Sequence, residues 1–200
     1  MTSLLRAALV ATLALAAITG LAYPIAVTGL CQLALPTSAN GSLLRRADGA
    51  VQGSSLIGQA FSEPRFFWGR PSAAGSGYDP QASGASNLGP TSRKLAQSFA
   101  AEAAKARADG VTGPIPVDRL TGSGSGLDPD ISIANARGQS ARVAKARGLP
   151  QAQVDALLET HGQRRELGLF GEPRVNVLEL NLALETIASQ RTSAPPAKTP

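Results

Sequence analysis

The chain of 200 residues is basic and poor in aromatic residues, with a formal net charge of +5 and an aromatic content of 4%. It contains one cysteine and one histidine. A single cysteine excludes an intrachain disulfide and a thiolate metal cluster, and a single histidine excludes a two-histidine metal site. The length fits one domain with an aliphatic core, once an apolar N-terminal segment is set aside.

That segment, residues 7–35, has no charged residue and predicts a transmembrane helix. About 20 apolar residues in helical conformation cross a bilayer, so the run is long enough to span with some tilt. The alternative is a cleaved secretory signal, with Arg6 as its charged start and residues 14–16 as a small-residue cleavage site. We favour the anchor because the apolar run continues well beyond residue 16. The few Lys and Arg residues that flank the run do not decide its orientation.

Short strands and a long loop are predicted after the anchor. An Asp48-Gly49 turn between residues 42–45 and 50–52 is typical of a β-hairpin. Residues 55–61 are a second strand candidate. Residues 72–90 are rich in Gly, Ser and Pro without any period, which predicts a long loop.

Helices dominate the second half of the predicted domain. Either Thr91 or Ser92 is expected to cap a helix over 93–109, and Ser132 a helix that ends at 147; Gly110 and Gly148 end the two helices. The remaining predicted elements are a helix that starts at Pro150, a strand over 175–177 and a helix over 178–189. Strands followed by helices predict an α+β domain. The predicted organisation is a tail (1–6), a transmembrane helix (7–35), the domain (36–190) and a disordered Pro-rich tail (191–200).

The residues suited to catalysis form only weak patterns. No serine lies in a G-x-S-x-G frame, and the lone His161 is expected to lie at a helix end. Asp128 and Asp130 flank Pro129, which suits either a carboxylate pair or a hard cation. Because no further oxygen ligands follow at loop spacing, an Asx turn with helix-start charge is the favoured interpretation.

Residues 122–126, Gly-Ser-Gly-Ser-Gly, resemble a phosphate-binding loop ahead of a helix. No Lys-Ser or Lys-Thr pair follows, and Leu127 stands where a dinucleotide fingerprint has its third glycine. A tight turn is therefore favoured, although glycines that let a partner backbone approach closely also fit the pattern. We expect valine at Gly124 or Gly126 to strain the backbone, because turn glycines often have positive φ.

Six segments, in this order along the chain, carry a resemblance to a known family. They are the apolar span with Tyr23-Pro24 and residues 53–59, 67–73, 83–91, 123–132 and 171–178. Together they resemble the C subunit of the Kdp-type potassium-transporting P-type ATPase, from the anchor to about Leu184. Three residues depart from the usual family pattern: Ala85 replaces Gly, Ser92 replaces Asn and Asp130 replaces His.

The resemblance implies a subunit of a bacterial inner-membrane complex. The implied partners are a channel-like potassium-translocating subunit, a P-type ATPase subunit and a small membrane peptide. It also implies one transmembrane helix with the domain outside the cytoplasm. The subunit would have no cofactor of its own, and the whole complex would handle ATP and potassium. In this family the C subunit is described as a catalytic chaperone that raises the ATP affinity of the ATPase subunit.

We therefore expect an accessory, non-catalytic subunit that docks and stabilises its complex. Two alternatives remain: a membrane-tethered or secreted enzyme that uses Asp128, Asp130 and the serine-rich loops, and a basic module that binds nucleic acid or anionic lipid. No catalytic residue and no metal ligand is predicted. The candidate contact residues, for a partner or for nucleotide, lie in the two Gly-rich loops: Ser86, Asn87, Gly89, Ser123, Gly124, Ser125, Gly126 and Asp128.

Overall fold

The computed structural model describes residues 2–46 and 48–193, without the side chains of 189–193. The chain divides into two compact units, Met1–Ser54 and Ser55–Pro200. The predicted disordered tail falls largely on residues 194–200, which lie outside the described residues.

A 33-residue apolar helix, Thr2–Ala34, makes up most of the N-terminal unit. It consists of α1 (Thr2–Ala17), a π-helical turn (Ile18–Ala22) and α2 (Tyr23–Ala34). None of its residues is buried within the protein, and it is long and apolar enough to cross a membrane. The helix begins at Thr2, so it includes residues that the sequence analysis assigned to a short tail.

A short helix and a hairpin complete this unit. The helix α3 (Pro36–Ala39) is followed by β1 (Leu43–Arg45) and β2 (Val51–Ser54), which pair antiparallel. Asp48 Oδ1 accepts a hydrogen bond from Ala50 N at 2.9 Å, and Gly49 has a φ of +84°. The predicted Asp-Gly hairpin is confirmed.

The C-terminal unit contains five α-helices and a short 3-10 helix (Pro80–Ala82) within its described residues, and Ser92 and Ser132 are confirmed as helix caps. Ser92 and Ser132 each accept a hydrogen bond from the amide three residues later, which satisfies a donor at the helix start. Gly110 and Gly148 follow their helices at positive φ. The helices are α4 (Arg93–Ala108), α5 (Val117–Leu120), α6 (Ile133–Arg147), α7 (Gln151–His161) and α8 (Val177–Ser193).

A two-stranded antiparallel sheet joins distant parts of this unit. It pairs β3 (Asp130–Ser132) with β4 (Arg174–Asn176), so that Ile131 lies opposite Val175. The architecture is α+β, as predicted, although β3 and β4 are interleaved with the helices.

The predicted strand over residues 55–61 is wrong. The chain turns at residues 55–57, and Gly58 N then donates to Leu127 O at 2.8 Å. This bond joins the segment to a loop instead of a strand edge. The apolar pair that suggested the strand stays exposed, with Leu56 at 64% and Ile57 at 42% of full exposure.

The core lies between β3, β4 and helices α6, α7 and α8. It is built mainly from aliphatic side chains, as the composition predicted, with Phe67 as its buried aromatic residue. Burial of such side chains supplies the main driving force for folding. The residues of the cluster with no more than 2% exposure are Phe67, Ile131, Ala136, Val143, Val154, Leu158, Val175, Leu180 and Leu184.

Candidate functional site

Two buried amide side chains fix the aromatic segment (residues 66–68), which leads into the first Gly-rich loop (residues 72–90). Asn181 accepts from Phe67 N at 2.8 Å and donates to Phe67 O at 3.0 Å. Gln139 does the same for Trp68, at 2.8 and 3.0 Å. Buried backbone polar groups require hydrogen-bond partners. Each side-chain amide supplies the donor and the acceptor that a neighbouring strand would otherwise provide. Helices α6 and α8 thereby determine where the following loop begins.

A buried charge cluster supports the same segment from the side of Trp68. The Arg142 guanidinium lies 3.7 Å from the centroid of the Trp68 ring. Asp109 pairs with both Arg119 and Arg142, and all three side chains are about nine-tenths buried. Burial lowers the pKa of Arg142 below its ordinary value, while the Asp109 carboxylate acts in the opposite direction. The cluster joins the end of α4 to α5 and α6.

Arg70 links the aromatic segment to the second Gly-rich loop. Its Nη1 donates to Asp128 Oδ2 at 2.8 Å, and further donors reach Thr121 O at 3.3 Å and Gly122 O at 3.2 Å. The other Asp128 oxygen accepts from Asp130 N at 3.0 Å, which is the predicted Asx turn. Both oxygens of Asp128 therefore hold the loop in shape.

Asp130 has a separate arginine partner. Its Oδ2 lies 3.0 Å from Arg174 Nε, and Oδ1 is buried without a hydrogen bond. Burial raises the pKa of Asp130; Arg174 opposes this rise, and the Asp128 charge adds to it. Each aspartate therefore has its own arginine partner, although the Asp128 charge still acts on Asp130. Within residues 2–46 and 48–193, no group of three His, Cys, Asp or Glu residues is placed to hold a metal ion.

Two amides at the end of the Gly-Ser-Gly-Ser-Gly loop, those of Gly126 and Leu127, are bonded to the loop itself. Gly126 N donates to Ser123 O at 3.4 Å, and Leu127 N donates to Ser125 Oγ at 3.1 Å. The hydroxyls of Ser123 and Ser125 lie 3.4 Å apart. A phosphate cradle needs several amides that point outward together, and these two are already bonded. The predicted tight turn is confirmed.

The two Gly-rich loops are hydrogen bonded to each other. Ser125 O accepts from Gly84 N at 2.9 Å and from Ser83 Oγ at 3.0 Å. Ser72 Oγ donates to Gly126 O at 2.6 Å, and it accepts from Tyr78 N at 2.8 Å. The two loops and the 70–78 segment therefore form one bonded surface, which we name the loop face (residues 70–89 and 121–128).

The two glycines that the sequence analysis treated alike differ in the structure. Gly126 has a φ of +68°, and an added Cβ would lie 2.7 Å from Ala74 N and 2.8 Å from Gly84 O. Gly124 is not at positive φ, and an added Cβ would have no atom within 4 Å. The expected backbone strain is confirmed for Gly126 and is wrong for Gly124, which faces open space.

Tyr78 stabilises the loop face through a hydrogen bond between two of its residues. Its hydroxyl donates to Arg70 O at 2.7 Å. Burial, with a smaller contribution from the Asp128 charge, raises the pKa of Tyr78 to about 12, against the opposing effect of Arg70. The phenol therefore stays protonated and remains a donor at physiological pH.

The predicted contact residues fall into three groups, which differ in their position on the loop face. Ser86, Ser123 and Gly124 line a groove of about 210 Å³, whose apolar wall includes Leu95 and Phe99 of α4. Ser125, Gly126 and Asp128 hold the loop in shape beside it. Asn87, at a φ of +51°, and Gly89 are exposed on the turn that leads into α4.

Arg70, Ser72 and Tyr78 were not predicted as site residues from the sequence. Arg70 and Ser72 lie in one of the segments that carried the family resemblance, but their partners are in other loops. Only the folded structure shows these contacts.

Comparison with known proteins identifies the family. The model of the family "K+-transporting ATPase, c chain" (KdpC) matches residues 5–186. The potassium-transporting ATPase KdpC subunit of Caulobacter vibrioides is 54% identical over 195 residues, covering 96% of this chain and 99% of the relative. KdpC subunits of Gemmatimonas aurantiaca and Methylibium petroleiphilum are each 56% identical, covering 94% and 92% of this chain and 96% and 98% of the relatives. The chain therefore belongs to the KdpC family of K+-transporting ATPase subunits.

Proposed function

We propose that the chain is an accessory, non-catalytic subunit that stabilises a potassium-uptake ATPase by docking its loop face onto other subunits. The observation that carries this proposal is the set of hydrogen bonds between residues within the loop face. Arg70, Asp128 and the 122–126 loop use their polar groups to hold one another. Such an arrangement suits a preformed contact surface, because little conformational entropy is lost when a rigid surface binds.

The exposed part of the loop face supports the same role. Ser86, Asn87, Gly89 and Gly124 are exposed, and Gly124 leaves room for a partner to approach the backbone. We assign these residues to contact with the complex. The proposed partners are the channel-like potassium-translocating subunit, the P-type ATPase subunit and the small membrane peptide.

We propose further that the chain spans the inner membrane once, with its domain outside the cytoplasm. The apolar helix supports the anchor, and the family resemblance supports the orientation. Because ATP is cytoplasmic, any increase in the ATP affinity of the ATPase subunit would act through the assembled complex. The amides of Gly126 and Leu127, which are bonded within the loop and so are not free for phosphate, support a domain that has no nucleotide site of its own.

The alternative functions receive no support from the geometry. Asp128 and Asp130 are each engaged with an arginine, which does not suit a shared catalytic pair. Several arginines of the C-terminal unit are in ion pairs with acidic side chains, which reduces the free positive charge that binding of nucleic-acid phosphates needs. These pairs are Arg137–Glu159, Arg142–Asp109, Arg147–Glu185 and Arg165–Glu172.

Affinity purification from membranes tests the proposed role. The full chain, tagged and extracted in mild detergent, should elute with the channel-like and ATPase subunits, and the purified chain alone should not hydrolyse ATP. Elution of the chain alone, or turnover by the chain alone, would contradict the proposal.

Surface labelling tests the proposed orientation. Leu167 is 93% exposed, so Leu167→Cys provides a reactive thiol on the domain. An impermeant maleimide should label it in intact spheroplasts, with the parent chain, which contains only Cys31, as the control. Labelling that requires lysis would place the domain in the cytoplasm.

A further inference from the structure

The hydrogen bonding of the apolar helix changes near its middle. The π-helical turn Ile18–Ala22 separates α1 from α2, and Tyr23 N donates to Ile18 O, five residues back. The next residue, Pro24, has no N–H to donate. The usual ladder of bonds to the carbonyl four residues back is therefore interrupted at this point.

This interruption leaves the carbonyl of Thr19 without its regular amide donors. The donor four residues ahead is Tyr23, which bonds Ile18 O, and the position five residues ahead is Pro24. Neither helical register of the described anchor thus supplies an N–H to Thr19 O. The hydroxyl of Thr19 donates in the other direction, to Leu15 O at 2.7 Å.

A carbonyl in this position needs a donor from outside the helix. Thr19 lies near the middle of Thr2–Ala34, so it falls in the hydrocarbon region if the helix spans the bilayer. Lipid tails offer no hydrogen-bond donor, and backbone polar groups in lipid are satisfied by protein or by trapped water.

The surface beside Thr19 is open to another helix. An added Cβ on Gly20 would have no atom within 4 Å, and no residue of the turn is buried. Glycine at such a point lets two membrane helices come close enough for a polar side chain to reach the backbone.

We propose that Thr19 O accepts a hydrogen bond from a hydroxyl or amide side chain on a transmembrane helix of another subunit of the ATPase complex. The inference rests on the proposed function, in that it requires the span and the complex. It gives the anchor a recognition role in addition to tethering. The partner chemistry follows from the carbonyl, which accepts hydrogen bonds and cannot donate them.

Two glycine substitutions test the contact. The full chain is expressed with a tagged ATPase subunit, and the amount that co-purifies in mild detergent is measured. Gly20→Ile should block the approach and reduce the retained chain several-fold. Gly29→Ile is the matched control, because Gly29 also has open space around it, and it should match the parent chain. Equal retention with Gly20→Ile, or an equal loss with Gly29→Ile, would overturn the proposal.

A third variant changes the carbonyl without adding bulk. Pro24→Ala restores an amide that can bond within the helix, so the partner's donor should lose its acceptor and retention should fall. Unchanged retention with Pro24→Ala would contradict the proposed hydrogen bond.

Two further measurements separate the possible failures. Release of the parent chain by alkaline carbonate would refute the membrane span itself. A carbonate-resistant chain whose complex tolerates Gly20→Ile would contradict only the helix contact. Energy transfer between labelled full-length chains expressed without the other subunits tests the occupant. Self-association that Gly20→Ile abolishes would identify a second copy and overturn the assignment to another subunit.

Discussion

The loop at residues 121–129 and the segment at residues 163–173 both run between regular elements, yet they are held in different ways. The loop is bonded to residues far away in sequence, for example through Asp128 to Arg70. The 163–173 segment is held mainly by contacts close in sequence, with Gln163 paired to Arg174, the residue that follows the segment, and Glu166 paired to Phe170. The shape of the loop therefore depends on the whole domain, whereas the shape of the segment is largely local.

One glycine from each region shows the difference. Gly126 and Gly168 have nearly the same backbone conformation, with φ of +68° and +72°. A Cβ on Gly126 would meet Ala74 and Gly84, whereas a Cβ on Gly168 would have no atom within 4 Å. A side chain would therefore meet the same backbone strain at both positions, but only at Gly126 would it also meet neighbouring atoms.

Substitution of these two glycines is expected to have the largest effect. Gly168→Ala should cost about 1–2 kcal/mol of unfolding free energy, from the left-handed conformation alone. Gly126→Ala should cost about 2–5 kcal/mol, because overpacking against Ala74 adds roughly 1–3 kcal/mol. Chemical denaturation of the full chain in detergent measures both values, and equal losses would contradict the packing difference.

Ion-pair substitutions should give an intermediate effect. Asp128→Asn removes the charge that Arg70 binds in a half-buried site, and we expect a loss of about 1–3 kcal/mol. Glu172→Gln is the matched change in the 163–173 segment, where the pair with Arg165 is exposed, and it should cost about 0–1 kcal/mol. The same denaturation series compares them. A larger loss for Glu172→Gln would reverse the comparison.

The smallest expected effect is a pH dependence at Asp130, which follows the loop in β3 and pairs with Arg174, which follows the 163–173 segment in β4. Because burial raises the pKa of Asp130, the folded chain holds this proton more tightly than the unfolded chain. The stabilising contribution of Asp130 is therefore greatest in acid and falls as pH rises from its unfolded pKa toward its folded pKa.

Asp130→Asn removes this titration and isolates the effect. The melting temperature of the parent chain, relative to Asp130→Asn, should decline as pH rises through the carboxylate range. A difference that stays constant with pH, or that rises with it, would show that Arg174 outweighs burial at this site.

The features that the sequence predicted well are those with local causes. The apolar helix, the Asp48-Gly49 turn and the caps at Ser92 and Ser132 depend on residues within a few positions of one another. Strand β3 was not predicted because its partner, β4, is separated from it in sequence by α6 and α7. The predicted strand over 55–61 failed because an apolar run alone does not supply a strand edge to pair with.

The sequence predicted where the candidate loops lie, but it did not predict the contacts that hold them in shape. The sequence indicated the loops and the Asx turn at Asp128, but not the amide side chains of Gln139 and Asn181 that fix the preceding segment. Gly124 and Gly126 looked equivalent, because sequence does not show which glycine has a neighbour. Contacts between residues that are distant in sequence account for each of these gaps.

The central claim, that the loop face docks onto the complex, is tested most directly at Gly124. Gly124→Val adds bulk to the exposed face where no internal atom lies within 4 Å, and Gly113→Val is the matched change at an open glycine outside the loop face. Both variants should keep the melting temperature of the parent chain. Co-purification with the tagged ATPase subunit should fall several-fold for Gly124→Val alone. Full retention of a folded Gly124→Val chain in the complex would contradict the claim.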